Sequence, residues 1–351
     1  MTAPSPLDVG YRRMLLRVGP VAVPLRARSL AVGAVLAAVT LALAVLSLGM
    51  GSYALSPEAV VRVLGGEGAA LDRTVVLEWR LPRTLAAITL GALLAIAGAL
   101  FQTVTRNPLA SPDILGLSNG AFTGMLLALT VFSGGWPQLT MGAVLGGIAT
   151  AAVIWALSRR DGVQGFRLIV IGIGISAMLA SLNTWMLLQV ELETAMFASA
   201  WGAGTLNGVT GAPLGGALLI ALPLLAVLVV LAPRLRQLDL GDDVAAATGA
   251  RPALVRSTAL LVAVLLVSLA TAVIGPVAFI ALAAPQIARR IARTPTLSLP
   301  LSALVGALLL LGADMIAQHL LPVALPAGVV TVSVGGIYLV VTIIQEIRRR
   351  V

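Results

Sequence analysis

The apolar run from Thr84 to Val104 constrains the fold of this chain more than any other stretch. At a rise of about 1.5 Å per residue, a helix of this length can cross a hydrocarbon core of about 30 Å. Arg80 and Arg83 precede the run, and a polar loop with two prolines, 106–113, follows it. Small residues recur about four positions apart on one face, which lets other helices approach closely. They are Gly91, Ala92, Ala95, Gly98 and Ala99.

Composition extends this prediction to the whole chain. Of its 351 residues, 59% are hydrophobic and 11% are charged, whereas a soluble domain carries about 25% charged residues. We therefore predict an all-α, polytopic membrane protein. The chain has no cysteine and a single histidine, His319, so disulfides and thiol-bound metals are excluded and neither a metal site nor a cofactor is expected.

Every basic residue of the chain is an arginine. Without a lysine the chain cannot contain a standard phosphate-binding loop, whose lysine reaches the nucleotide phosphates. No paired carboxylates within the membrane, and no nucleophile with a base, stand out. The sequence therefore predicts no catalytic residue and no ATPase activity of its own.

Ten apolar runs are predicted to cross the membrane. Residues 1–29 are interpreted as a cytoplasmic N-terminal tail without the pattern of a cleavable signal, and residues 30–351 as one membrane domain. The predicted crossings are about 30–48, 84–104, 114–132, 138–157, 168–189, 213–231, 256–274, 278–291, 299–320 and 329–345.

The distribution of arginine supports ten crossings. With this count, 19 arginines fall in the tails and loops of one side and 4 on the other, namely Arg62, Arg73, Arg80 and Arg83. The positive-inside rule makes the side with 19 arginines cytoplasmic, together with both termini. The net charge of +9 therefore reflects topology, and no nucleic-acid partner is expected.

Two segments are predicted to be external. Residues 49–79 contain Ser56-Pro57-Glu58, which is typical of a capped helix start. Residues 191–211 are polar and rich in glycine, with Trp201 as an expected anchor at the membrane interface.

The cytoplasmic loop 233–256 is too polar to cross and carries signals of defined structure. Asp239 or Gly241 could cap a short helix with Asp242 and Asp243 in its first turn. Gly249 suits a left-handed helix end, and Pro252 could begin a second short helix. The two interpretations are a solvated turn and a rigid docking element for a soluble partner; we favour the second. Its candidate coupling residues are Asp239, Gly241, Asp242, Asp243, Gly249 and Arg251.

Asp314 is a carboxylate deep within a predicted crossing. Such a residue is a candidate for a proton or cation relay. The alternative, which we favour, is a structural residue bonded to a serine, a threonine or the backbone of a neighbouring helix. His319, five residues on, is expected near the outer surface rather than as a ligand.

Several motifs, spread in order over residues 30–350, resemble the FecCD-type permease family. This family comprises the membrane subunits of bacterial ABC importers for ferric siderophores, haem and cobalamin. The motifs are Arg80-Leu-Pro-Arg83, the run Gly91–Ala99, Asn107-Pro108-Leu109-Ala110, Gly116-x-Ser118-Asn119-Gly120, Gly275-Pro276-Val277-Ala278-Phe279, Pro285-Gln286-Ile287-Ala288-Arg289, Ala313-Asp314 and Leu325-Pro326-Ala327-Gly328-Val329.

The resemblance implies a ten-helix subunit in the lipid of the bacterial inner membrane. It implies a second permease subunit, more often different than identical, two ATP-binding subunits and a substrate-binding protein. It further implies that Arg80 and Arg83 dock the binding protein, that Asn107, Pro108 and Leu109 contribute to a cytoplasmic gate, and that 239–256 couples to the ATPase. Ferric siderophore is the expected substrate, with cobalamin or haem as alternatives.

The sequence also departs from the family's pattern. Gln318 stands where some relatives carry a further outer arginine, and Gln286 stands where a histidine is frequent. A competing class is an ion-coupled secondary transporter, which would use Asp314 and the helix break at Gly275-Pro276. A structural membrane subunit without transport predicts neither an Asn-Pro turn nor a shaped cytoplasmic loop.

Overall fold

The computed structural model describes residues 13–18, 21–113, 115–132, 136–158, 165–320 and 322–350. Within them the fold is helical apart from one short hairpin. The helices are α1 (Ala27–Gly49), α2 (Pro57–Leu64), α3 (Ala70–Arg73), a π-helical segment (Thr74–Arg80), α4 (Leu81–Thr105), α5 (Leu117–Phe132), α6 (Trp136–Ser158), α7 (Gly165–Gln189), α8 (Leu192–Gly202), α9 (Gly211–Leu238), α10 (Asp242–Ala247), α11 (Pro252–Ile274), α12 (Ile280–Ala292), α13 (Leu299–His319) and α14 (Ala327–Arg350).

The hairpin corrects the prediction for the N-terminal tail. Strands β1 (Arg13–Val18) and β2 (Val21–Arg26) pair antiparallel, with Arg13 opposite Arg26 and Val18 opposite Val21. The all-α prediction missed this element because polar, arginine-rich residues suggested a tail without structure. Helix α1 then begins at Ala27, three residues before the predicted first crossing.

Each of the ten predicted crossings corresponds to a helix, but their lengths differ. Among the described residues, seven helices are long and apolar enough to cross a membrane. Helices α5 and α14 are shorter apolar helices. Helix α12, the predicted eighth crossing, has 13 residues and is only about 20 Å long.

Helices α4 and α11 form the centre of the bundle. In each, 78% of the most apolar stretch is buried, against 11% in α1. The small-residue face of α4 packs as predicted. A Cβ on Gly91 would collide with the carbonyl oxygen of Gly306 in α13, and one on Gly98 with that of Ala281 in α12. Backbone-to-backbone packing therefore fixes the neighbours of α4.

The segment after α4 corrects the predicted start of the third crossing. Among residues 106–113, 115 and 116, the chain turns back into the bundle, so that Gly116 packs against Ser176 of α7. Ser176 lies eleven residues along α7 from Gly165, or about 17 Å. Asn119 donates to the Ser176 hydroxyl at 2.9 Å. Helix α5 thus begins at Leu117, halfway through the bundle; residue 114, where the third crossing was predicted to begin, lies outside the described residues.

The break between α11 and α12 was predicted at Gly275-Pro276 and is found there. Helix α11 ends at Ile274, Gly275 has φ +75°, and Phe279 adopts a left-handed conformation before α12. The backbone N–H of Phe279 donates to Asp113 in the re-entrant segment. The short helices α5 and α12 therefore begin where these two irregular segments meet.

The prediction for Trp201 is wrong. Its side chain is 3% exposed and stacks on Phe122, with ring centroids 5.8 Å apart. The chain after α8 folds over the helix break, since the Thr205 N–H donates to the Ile274 carbonyl at 2.8 Å and the Gly328 N–H to Gly204 at 2.9 Å. The indole therefore fills the bundle instead of anchoring it at an interface.

Candidate functional site

The candidate site residues lie at the two ends of the bundle. The arginine-rich face is the end that carries Arg106, Arg234, Arg236, Arg251, Arg256, Arg289, Arg290 and Arg293, and the arginine-poor face is the end that carries Arg62, Arg73, Arg80 and Arg83. Helix α4 connects them, because Arg80 precedes its first turn and Arg106 follows its last. Among the described residues, no three His, Asp or Glu side chains lie together as a metal site would require.

Arg83 makes the central contact of the arginine-poor face. Its guanidinium donates to both carboxylate oxygens of Asp314, at 2.8 and 2.6 Å, and to the side chain of Asn207 at 2.7 Å. The Arg83 side chain is 23% exposed and that of Asp314 is 8% exposed. The predicted partner of Asp314 was a serine, a threonine or the backbone of a neighbouring helix; among the described residues its partner is instead Arg83, in a bidentate ion pair.

Arg80 holds the segment that follows α1. It donates to the carbonyl oxygen of Leu48 at 2.8 Å and to that of Tyr53 at 2.6 Å. Arg80 and Arg83 both line a cavity of about 910 Å³, which also receives Trp79, Gln318 and His319. Both arginines thus have intramolecular partners and face one concave surface.

The Asn107–Leu109 turn has a defined conformation on the arginine-rich face. Arg106 is left-handed, with φ 51°. The Asn107 side chain accepts from the Leu109 N–H at 2.9 Å, which is the usual way that asparagine closes a turn. The Asn107 carbonyl accepts from the Ala110 N–H at 3.1 Å. Leu109 remains 47% exposed, so the turn presents an apolar side chain.

The loop 233–256 contains one short helix, not two. Helix α9 continues through Pro233 to Leu238, α10 follows Gly241, and Pro252 starts the membrane helix α11 itself. Asp242 and Asp243 occupy the first turn of α10 as predicted. Gly249 has φ +85°, and its N–H donates to Ala246 at 3.0 Å, which ends the helix in the expected left-handed geometry.

The sequence did not indicate that Asp242 joins two arginines. One of its carboxylate oxygens accepts from Arg106 at 2.6 Å and from Arg256 at 2.5 Å. Partial desolvation alone would raise the pKa of Asp242, but the bonds and charges of Arg256 and Arg106 outweigh it and hold that pKa below its usual value. The charge cluster Arg106–Asp242–Arg256 therefore joins the end of α4, the start of α10 and the start of α11.

Asp113 is a second residue that sequence reasoning missed. It accepts from the hydroxyls of Ser111 and Ser118, each at 3.2 Å, in addition to Phe279. It lines a cavity of about 430 Å³ together with Asn119, Pro276 and Ser333. In the sequence, Asp113 can be seen as a carboxylate in a loop with two prolines that separates two apolar runs.

Comparison with known proteins defines the class to which this bundle belongs. The model of the FecCD transport family matches residues 39–345. The ferric enterobactin transport system permease protein FepG of Escherichia coli is 47% identical over 301 residues, which cover 86% of this chain and 91% of FepG. The permease protein FepD of the same transport system is 34% identical, over 92% of this chain and 97% of FepD.

A solved structure has the same architecture. An inward-facing conformation of a metal-chelate type ABC transporter superposes with a TM-score of 0.78 and 27% identity, covering 90% of this chain and 99% of the other. The fold is that of an ABC transporter permease, and the chain is a multi-pass membrane protein. It belongs to the FecCD transport family.

Proposed function

We propose that this chain is one permease subunit of a binding-protein-dependent ABC importer for ferric siderophores, located in the bacterial inner membrane. The observation that carries the proposal is the 47% identity to FepG over nearly all of both chains. Ferric enterobactin, named in that relative's title, is the first substrate to test, with haem and cobalamin as alternatives. The subunit has no catalytic role, and ATP is hydrolysed by two partner subunits.

A different permease is the proposed second subunit. The E. coli ferric enterobactin system has two permease proteins by name, FepG and FepD, and this chain is 47% identical to one and 34% to the other. A chain that matches one member of such a pair better than the other fits a heterodimer. Co-purification with a tagged second permease tests this pairing.

The ion-coupled transporter receives less support. Its two candidate features were Asp314 and the helix break. Asp314 is bound by Arg83, and the break is covered by the backbone of residues 201–205. Asp314 is therefore not the free carboxylate that a coupling-ion site would use. The break borders a cavity at Pro276, next to Asp113, so the reduced support for this class rests on Asp314.

One reconstitution separates the two classes of transporter. The permease pair, its ATPase and its binding protein are placed in vesicles and supplied with ferric enterobactin, a ferric hydroxamate, haem or cobalamin. We expect ferric siderophore uptake that requires ATP and the loaded binding protein and persists when the proton gradient is collapsed. Uptake that stops with the gradient while ATP remains would contradict the importer.

We further propose that Arg80 and Arg83 dock acidic residues of the binding protein. Among the described residues, they share their face with two other arginines, Arg62 and Arg73, and both line the same cavity. Exposed charge pairs contribute about 0.2–1 kcal/mol each and are screened by salt. Arg80→Gln should therefore weaken binding of the loaded binding protein by up to about fivefold and flatten its dependence on salt.

The matched control is Arg62→Gln, which removes a charge from the same face. The affinity of the permease for the loaded binding protein, measured at several salt concentrations, should not change in this variant. Arg83 is unsuited to the same test, because its removal would leave Asp314 unpaired. If wild type and Arg80→Gln bind the loaded binding protein with equal affinity at low salt, Arg80 does not dock that protein.

The gate and coupling roles complete the proposal. The Asn107–Leu109 turn is proposed as part of the cytoplasmic gate, since it lies at the arginine-rich end of α4 and exposes Leu109. The loop 239–256 is proposed to seat in a groove of the ATPase. A chain without a phosphate-binding loop must receive motion from outside, and a rigid surface element can transmit it.

A further inference from the structure

Arg106 lies between two parts of the chain to which separate roles were proposed. It is the last residue before the Asn107–Leu109 turn. Its guanidinium reaches away from that turn to the carbonyl oxygen of Leu238 at 3.0 Å and to Asp242 at 2.6 Å. The residue next to the proposed gate is therefore bonded to the first residue of the proposed coupling helix, 136 positions later in the chain.

Asp242 is itself fixed by a third element. Arg256, in the second turn of α11, donates to the same carboxylate oxygen. Helix α11 packs along α4 in the centre of the bundle, where both helices are largely buried. A displacement of α10 must therefore either carry the end of α4 with it or break the bonds of Asp242.

The exposure of the three side chains indicates a reversible contact. Arg106 and Asp242 are 49% and 44% exposed, and Arg256 is 22% exposed. Ion pairs this exposed stabilise a fold weakly and depend on salt. Loss of this contact should therefore leave the bundle folded, so its role in transport can be tested separately from stability.

We propose that Asp242 is a positioning residue that ties the coupling helix α10 to the proposed gate through Arg106, with Arg256 orienting the carboxylate. The inference rests on the proposed importer function and adds the physical link between its two moving parts. Through this link, a shift of α10 caused by the ATPase reaches the Asn107–Leu109 turn at the end of α4.

The test measures siderophore transported per ATP hydrolysed in the reconstituted complex. Asp242→Asn keeps the size of the side chain and removes its charge. We expect this variant to assemble with the ATPase and hydrolyse ATP, but to transport at least threefold less per ATP. Arg106→Gln should have the same defect, and Asp242→Glu should restore most of the wild-type ratio.

Salt and a distant charge provide the controls. Raising the salt concentration should lower the ratio more in wild type than in Asp242→Asn, which has already lost the charge of the contact, because the salt dependence of binding-protein docking is common to both. Arg236→Gln removes an exposed cytoplasmic arginine for which the described residues show no ion pair. Its ratio should match that of wild type.

Because the chain has no cysteine, the link can also be replaced covalently. In the double variant Arg106→Cys/Asp242→Cys, a bifunctional thiol reagent should restore the transport ratio that the substitutions reduce. A flexible reagent is required, since a direct disulfide tolerates only a narrow range of Cα separations.

Three outcomes would overturn the proposal: a wild-type ratio in Asp242→Asn, loss of the ATPase from that complex, or no recovery after cross-linking. The second would make Asp242 a docking contact. Failure of the wild-type complex to couple ATP to uptake would instead count against the proposed function, so the two failures are distinguishable.

Discussion

At the scale of single residues, charged side chains that are far apart in the sequence form ion pairs in the structure. Arg83 and Asp314 are 231 positions apart in sequence and share two hydrogen bonds. At the other end of α4, Arg106 donates one hydrogen bond to Asp242. Both contacts fasten an end of the central helix to a distant part of the chain.

The Arg83–Asp314 pair leads to a prediction about stability. Asp314→Asn removes the carboxylate and leaves a largely buried guanidinium without its counter-charge. Breaking a fully buried pair costs about 3–5 kcal/mol; because Arg83 keeps some contact with solvent, we expect about 2 kcal/mol. Thermal unfolding of the purified permease measures the loss, and the folded fraction should still transport at a near-normal rate.

A second variant separates charge from packing. Arg83→Gln/Asp314→Asn removes both charges, so it should be more stable than Asp314→Asn alone. If the double variant is the less stable of the two, the cost comes from lost contacts and not from the unpaired arginine.

At the scale of elements, glycines decide which helices can touch and where α10 ends. Gly98 faces the backbone of α12, whereas a Cβ on Gly174 in α7 would meet nothing within 4 Å. Gly249 also has open space around it, but its φ of +85° disfavours other residues.

Gly98→Val should prevent α4 and α12 from packing. The carbonyl of Ala281 belongs to a helix backbone and cannot move aside without displacing α12. We expect little folded protein, measured as the monodisperse fraction after extraction in detergent. Gly174→Val is the matched control and should give nearly the wild-type amount; an equal yield from the two variants would contradict the close approach.

Gly249→Val should disturb coupling without disturbing the bundle. A β-branched residue in the left-handed region is strained by about 1–2 kcal/mol, so the end of α10 should be displaced. ATP hydrolysis in vesicles should then no longer respond to the loaded binding protein, although that protein still binds. Gly249→Asn, which tolerates this conformation, should keep most of the response; wild-type stimulation in Gly249→Val would make the loop only a solvated turn.

At the scale of the whole molecule, the arginine distribution predicts orientation. Single cysteines in place of Glu67 and Glu193 should react with a membrane-impermeant maleimide on intact spheroplasts, because both residues are exposed and lie in the two segments predicted to be external. A cysteine in place of Arg293 should react only after lysis. Labelling of that cysteine on intact spheroplasts would show that the predicted orientation is wrong. The loop 239–256 would then face away from the cytoplasm and could not contact an ATPase.

Much of this architecture could be predicted from sequence, since apolar runs report membrane helices directly. The helix start after Ser56 and the end at Gly249 were also predictable, because each depends on a few adjacent residues. The level within the bundle at which a helix begins was not predictable. Nothing in the apolar run after residue 114 indicates that α5 begins halfway through the bundle. The partners of Asp314 and Asp242 depend on tertiary packing, and Trp201 was misplaced because an aromatic residue near a predicted membrane boundary resembles an anchor.

The long central helix has a mechanical consequence. Helix α3, the π-helical segment and α4 form one helix from Ala70 to Thr105, which the backbones of α13 and α12 grip at Gly91 and Gly98. Two grips seven residues apart, about 10 Å along the axis, fix both the position and the direction of a helix. Between Gly91 and Gly98 the central helix is therefore clamped, and it cannot tilt there unless α12 or α13 moves with it. Rearrangement of this part of the bundle would involve α4, α12 and α13 as one rigid body.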